Sequence, residues 1–288
     1  MHKDLIAKLA DTESLKTIWN RQKEGFAMPS ISKLTEIVEL SRAILFPGYF
    51  GDAGVNHLNL PYHIGINIEH LSELLIKQIE AVLNLTNENN STENKQKAKE
   101  ITFHFLNEFP LLREILATDV IAAYNGDPAA KSYGEVIFCY PAIRAIINYR
   151  IAHTLFKLNV PLIPRIITEM AHSETGIDIH PGATIGRYFT IDHGTGVVIG
   201  ETAIIGEHVQ LYQGVTLGSR SFPLDENGNP IKGQLRHPII EDNVIVYSNA
   251  SILGRVTIGK GSIIGGNIWI EHDVPAGSII TQKTQAKK

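Results

Sequence analysis

The chain has 288 residues and is 43% hydrophobic, enough apolar material for one large core or two smaller ones. Its formal net charge of −4 gives no electrostatic case for nucleic acid or for an anionic membrane. No apolar run approaches ~20 residues, no apolar segment of the secretory type opens the chain, and the single cysteine, Cys139, suits a reducing compartment; the expectation is a cytoplasmic protein.

Read in chain order, the first half is helical. Ile68, Leu71, Leu75, Ile79 and Val82 recur at three- and four-residue spacing and predict one face of an amphipathic helix. The polar stretch Asn87–Asn94 reads as a loop, followed by a second amphipathic segment from about Lys95 to Leu106. Glycosylation sequons at Asn84 and Asn90 read as chance occurrences in a chain without a secretory signal. Pro110, Asp127-Pro128 and the pair Pro161/Pro164 punctuate further helices. Residues 1–173 are therefore expected to form an α-helical domain.

The grammar then changes, and 17 of the 24 glycines lie at or after Gly176. Every sixth residue is apolar through Ile179, Ile185, Ile191, Val197, Ala203, Val209 and Val215, and the rhythm returns at Val244, Ala250, Val256, Ser262, Ile268 and Val274. A second apolar residue often follows two places later, as in Val197/Ile199, Val209/Leu211 and Val244/Val246. An α-helix cannot hold a strict six-residue period, and an ordinary strand repeats every two. Six residues suit a short strand plus a corner, and three such units make one triangular coil of a parallel β-helix. Coils stack at the spacing of paired strands, roughly 4.8 Å, which aligns the inward aliphatics into a continuous core. The expected fold class is α+β, an N-terminal α-helical domain followed by a C-terminal left-handed parallel β-helix over residues 174–280.

Val215 and Val244 are 29 residues apart, one short of a multiple of six, and the intervening composition (Arg220, Pro223, Asp225, Asn227 to Pro230, Lys232) cannot supply inward aliphatics. This segment, 218–235, must leave the coil as an exposed excursion, and Arg236-His237-Pro238 marks its return. Residues 281–288 read as a flexible tail.

Ionisable groups gather near the first coils: Asp178, His180, Asp192, His193 and Glu201. A histidine with a neighbouring carboxylate is the usual equipment of general-base chemistry, because the carboxylate fixes the tautomer and stabilises the imidazolium. Asp178 precedes His193 by 15 residues, a little under one coil, which would place it about one rung away near the same corner. Polar residues at solvent-exposed corners are also ordinary, the preferred reading for Glu207, His208 and His272. For a metal, His180, His193, His208 and His237 are available, but their gaps of 13, 15 and 29 are not whole coils, and no metal is expected.

From about Ala117 to Gly277 the chain resembles the serine O-acetyltransferases of the hexapeptide-repeat acyltransferase superfamily. The resemblance rests on Ala117-Thr118-Asp119, Asp127-Pro128-Ala129 and Tyr149 to His153 in the helical part. In the repeat part it rests on Asp178 to Pro181, the run Asp192 to Thr202, Gln213 to Gly218, and Arg236-His237-Pro238. It implies His193 as the base that deprotonates serine, with Asp178 orienting its ring, and direct attack on acetyl-CoA without an acyl-enzyme. It implies Asp127 and Asp192 as partners of the serine ammonium group, and Arg236 with His237 as partners of the carboxylate. A plainer role for Asp127 is a helix N-cap before Pro128. Gly218, Ser219, Ser248 and Gly266 are the implied contacts of acetyl-CoA, which would lie between neighbouring subunits.

The same resemblance implies O-acetylserine production for cysteine biosynthesis, L-cysteine as an inhibitor, and a homotrimer or a dimer of trimers. It departs from the family in a longer excursion before Arg236, an extended N-terminal region and a tail ending Ala286-Lys287-Lys288 rather than in isoleucine. The tail argues against a tight complex with cysteine synthase through this segment. Alternatives are an acyltransferase for another small acceptor, a zinc γ-type carbonic anhydrase, and a non-catalytic scaffold.

Overall fold

The computed structural model describes residues 2–11, 13–15, 28–86, 91–221 and 223–285. Among the described residues, eight α-helices come first: α1 (Lys3–Ala10), α2 (Ile31–Leu45), α3 (Leu60–Thr86), α4 (Ser91–Asn107), α5 (Phe109–Gly126), α6 (Tyr133–Cys139), α7 (Pro141–Lys157) and α8 (Ile163–Thr175). Their boundaries carry local signals: the Ser30 and Ser132 hydroxyls cap α2 and α6 by accepting the Lys33 and Glu135 amides, at 3.4 and 3.1 Å. The apolar face of α3 is buried as its spacing requires, with Leu71, Leu75, Ile79 and Val82 fully covered.

One expectation is corrected here. Helix α4 begins at Ser91, so Asn94 is not in a loop; it is buried and its amide donates to Asn84 Oδ1 at 2.8 Å, joining α3 to α4. Burial also removes Asn84 from consideration as a glycan acceptor. The sequon at Asn90 and the tail residues Ala286–Lys288 fall outside the described residues.

Gly176, in the left-handed region at φ 71°, ends α8 and turns the chain into the coil. Among the described residues, fourteen short parallel strands follow in three sheets, ordered β1-β4-β7-β10-β13, β2-β5-β8-β11 and β3-β6-β9-β12-β14, with β10 at Ser251–Leu253, β11 at Thr257–Ile258 and β13 at Trp269–Ile270. These are the three faces of a left-handed parallel β-helix. Every residue of the predicted hexad series is buried, including Ser262, whose hydroxyl donates to the Pro275 carbonyl at 3.0 Å. A short helix, α9 (Gln282–Gln285), follows β14 (Ile279–Ile280).

The register shows that the hexad series is not one column. Strand β1 (Asp178–Ile179) pairs with β4 (Val198–Ile199), β2 (Thr184–Ile185) with β5 (Ile204–Ile205), and β3 (Thr190–Asp192) with β6 (Gln210–Tyr212), all twenty residues apart. From β4 to β7 (Thr216–Gly218) the step falls to eighteen. Ile179, Ile185 and Ile191 therefore stack under Ile199, Ile205 and Leu211, while Ile177, Ala183 and Phe189 lie under Val197, Ala203 and Val209. The two extra residues sit between Ile191 and Val197, where later coils take four steps, as from Leu211 to Val215. His193 and Gly194 both have positive φ there, 59° and 99°, and the corner bulges outward.

The predicted excursion leaves after β7 and returns at β8 (Ile239–Ile240), lengthening that coil to thirty-five residues between Thr216 and Ser251. Its tip is a turn built on Asp225, whose Oδ1 accepts the Asn227 and Asn229 amides, each at 2.9 Å.

The helices are bolted to the first coil by polar groups. Arg150 on α7 grips Asp119 on α5 with two bonds of 3.1 Å and donates to the Ile185 and Gly186 carbonyls at 2.6 Å. Asp119 also accepts the Phe189 amide at 3.0 Å, and Thr118 Oγ1 accepts the Tyr188 amide at 3.1 Å. Burial pushes the Asp119 carboxyl up to about 6, with Arg150 and the Phe189 amide pulling the other way.

Candidate active site

The predicted site residues fall on two corners of the triangle. The first corner joins the β3 and β4 faces and carries Asp192 and His193. The extra pair at this corner leaves the His193 ring 76% exposed, with Nε2 at 3.9 Å from Asp192 Oδ1. Helix α5 delivers Asp127 to the same place, and Gly126 packs over the Gln210 side chain. Asp127 is not a helix N-cap: it follows α5, accepts the Ala129 amide at 2.7 Å, and takes a short hydrogen bond from the Tyr140 hydroxyl. Those two donors hold its carboxyl below the usual range, and the Asp127 carboxylate in turn, through that hydrogen bond, holds the Tyr140 phenol up to about 12. His193 is close enough to lower Asp127 further, and Asp192 close enough to raise Tyr140. Asp127, Tyr140, Asp192 and His193 thus form one electrostatic cluster.

The second corner joins the β4 and β5 faces, where the excursion returns. Arg236 Nη2 donates to Glu201 Oε2 at 2.7 Å and Nη1 to the Gln234 carbonyl at 3.2 Å. His237 is buried, and its Nδ1 accepts the Thr202 amide at 3.0 Å. That assigns the proton of the neutral ring to Nε2. Burial, aided by Arg236 and opposed by Glu201, depresses His237 to about 4. His180, two coils below, is also lowered by burial, and its Nδ1 accepts the Gly182 amide at 3.0 Å.

A stability prediction follows with a definite sign. Between about 4 and the ordinary 6.5, the unfolded chain binds the His237 proton and the folded chain does not. Stability from this group is complete above pH 6.5 and is lost as pH falls toward 4; His153 and His180, also lowered by burial, act in the same direction. Asp119, whose carboxyl is raised to about 6, acts in the opposite direction over the same window, so the readout is a difference: the denaturant midpoint of the parent should fall more steeply from pH 6.5 toward 4 than that of His237→Gln. Equal slopes in the two proteins would contradict the assignment.

Asp178 is not paired with His193 within one chain. Its ion-pair partner is Arg165, at 3.7 Å, beside Glu169 and His172 on α8. Glu169, His172 and Asp178 are the one cluster of metal-ligand types among the described residues, and the Arg165 guanidinium already bonds Glu169 there. His180, His193, His208 and His237 are not part of it. The four residues assigned to acetyl-CoA divide between the same two corners. Ser248 and Gly266 follow β9 (Ile245–Val246) and β12 (Ile263–Ile264) above His193, whereas Gly218 and Ser219 lie at the end of β7 above Glu201.

Comparison with known proteins places this arrangement. The bacterial transferase hexapeptide family (six repeats) matches residues 237–267. The plasmid serine acetyltransferase of Synechococcus elongatus is 50% identical over 263 residues, which cover 89% of this chain and 82% of that one. The chain belongs to the serine acetyltransferases. A crystal structure of serine acetyltransferase 1 from Entamoeba histolytica in complex with L-cysteine superposes with a TM-score of 0.75 at 35% identity, covering 91% of this chain and 90% of that one. The Neisseria gonorrhoeae serine acetyltransferase in complex with serine gives a TM-score of 0.56 at 26% identity, covering 86% and 94%.

Within this serine acetyltransferase fold, sequence reasoning missed Tyr140 and Arg255. Tyr140 directly precedes Pro141, at the start of α7, a position that signals a helix start and nothing about Asp127 thirteen residues away. Arg255 Nη1 donates to the Thr202 and His237 carbonyls at 2.6 and 3.0 Å. No local pattern announces either contact. Among the described residues no helix is long and apolar enough to cross a membrane.

Proposed function

We propose that the chain transfers the acetyl group of acetyl-CoA to the hydroxyl of L-serine, in a site completed between neighbours of a homotrimer. The observation that carries this reading is the division of both residue sets between the same two corners. Asp127, Asp192, His193, Ser248 and Gly266 lie at one; Gly218, Ser219, Arg236 and His237 lie at the other, across a full face of the coil. Threefold association that sets the first corner of one chain against the second corner of the next unites them. A subunit alone offers a base without a carboxylate grip.

In that setting, Asp127 and Asp192 meet the serine ammonium, Arg236 and the His237 Nε2–H meet its carboxylate, and Asp178 of the assembled site orients the base. His193 takes the hydroxyl proton as the serine oxygen bonds to the thioester carbonyl carbon. Collapse of the tetrahedral adduct breaks the carbon–sulfur bond, and the imidazolium returns its proton to the departing CoA thiolate. The transfer is direct and needs no acyl-cysteine, since the serine oxygen activated by His193 is itself the nucleophile. The products are O-acetylserine, the precursor used in cysteine biosynthesis, and CoA.

L-cysteine shares the ammonium and carboxylate of serine, so it should inhibit by competition. The test is thiol release from acetyl-CoA with and without L-serine, with L-cysteine titrated against serine. Release that depends on serine, and inhibition relieved by excess serine, support the proposal. Release that is indifferent to serine, or faster with another alcohol or amine, would overturn it.

A further inference from the structure

The return of the excursion is held by an interlocked pair of dipeptides. Glu201-Thr202, at the second corner, faces Arg236-His237 one coil above, residue against residue. Glu201 takes the Arg236 guanidinium. The Thr202 hydroxyl oxygen accepts the backbone amides of both Arg236 and His237, at 3.0 and 3.1 Å. It also lies 2.9 Å from His237 Nδ1, and the Thr202 amide donates to that same nitrogen at 3.0 Å. Arg255 closes the arrangement from above through the Thr202 and His237 carbonyls.

The imidazole has no freedom to leave this frame. A Cβ on Gly200 would meet ring atoms Cδ2 and Nε2 at 2.1 Å, so the ring occupies space that only glycine leaves. Among the described residues Nε2 has no hydrogen-bond partner in the chain, although every other polar atom of this histidine does.

We propose that Thr202 is a positioning residue for the acceptor site: it sets the backbone of Arg236-His237 and holds His237 as a neutral donor whose Nε2–H is kept for the carboxylate of the acceptor amino acid. This rests on the reading of Arg236 and His237 as the carboxylate partners. Two consequences follow from the geometry. The grip on the carboxylate is set by the corner itself, so the excursion can vary in length without moving the two side chains. The ring also stays neutral, although the charges facing it are mixed: Arg236 and Arg255 disfavour its protonation, His180 would do so when charged, and Glu201 favours it.

The experiment compares Thr202→Val, Thr202→Ser and Arg236→Lys. Removing the hydroxyl strips an acceptor from two backbone amides, and Thr202→Val should raise the serine KM roughly ten-fold with kcat changed less than about threefold. Thr202→Ser, which keeps the oxygen, should restore the parent KM. Imidazole NMR of histidine-labelled protein, with His237 assigned through His237→Asn, supplies a readout independent of turnover. In Thr202→Val the His237 titration should move up from about 4. An unchanged serine KM and titration in Thr202→Val, alongside a raised KM in Arg236→Lys, would refute the role of Thr202 and leave the carboxylate reading intact. An unchanged KM in Arg236→Lys would instead refute the carboxylate reading. Should Thr202→Val fail to assemble, Thr202→Ala removes the same oxygen and carries the same test.

Discussion

His193→Ala is expected to lower kcat by roughly 10²–10⁴-fold, the range for loss of a general base, while the chain stays folded. The two halves of that statement have separate causes. The ring is 76% exposed, so its removal opens no cavity in the coil. Its backbone sits at φ 59° within the two-residue bulge, and alanine adopts that conformation at modest cost. The catalytic loss arises because the bulge projects the one imidazole of the cluster beside Asp127 and Asp192, whose carboxylates are far weaker bases. Circular dichroism and size exclusion check the fold, and thiol release checks the rate. Turnover near the parent value in a properly assembled variant would remove His193 from the base role.

The second large effect is structural. Arg150→Met should destabilise the chain by about 3–5 kcal/mol, because it strands a buried carboxylate at Asp119 and strips donors from the Ile185 and Gly186 carbonyls. Asp119 and Arg150 are 0% and 5% exposed, so water cannot take over their bonds. The effect should reach the active site: Asp119 lies eight residues before Asp127, about 12 Å along the helical rise, so the clamp fixes where α5 delivers its carboxylate. Replacing both partners with apolar residues, Asp119→Leu with Arg150→Met, should recover much of the lost stability, since no charge is then left unpaired. Denaturant unfolding at matched protein concentration measures both. A single-variant loss under about 1 kcal/mol would show that the clamp is not the junction described here.

Much of this architecture was legible from local pattern. Burial of the hexad positions, the apolar face of α3 and the exit of the excursion all depend on which side of a short element meets solvent, and solvent exposure leaves a period in the sequence. The change of grammar at Gly176 was visible because glycine takes at little cost the left-handed backbone that ends α8 and opens the coil. The Asp192-His193 corner was visible because charged residues interrupt an apolar rhythm.

Other features left no such trace. The hexad spacing runs unbroken through Val197, yet the residues on either side of His193 belong to different columns, because an insertion of two residues shifts an inward position onto the neighbouring inward position. Only strand register exposes that shift. Asn94 was misread as loop because its amide finds Asn84 on another helix, a partner that composition cannot display. The Tyr140–Asp127 bond, the Arg150–Asp119 clamp and the Thr202 frame around His237 join residues thirteen, thirty-one and thirty-five positions apart. The sequence by itself determined the coil, the helical domain and the residue types of the site, because hydrophobic burial repeats with the local period of the chain. The tertiary structure alone decided which side chains share a corner, which proton His237 carries and where Asp178 is held, because hydrogen bonds and ion pairs between distant segments follow coil stacking and helix docking rather than any period.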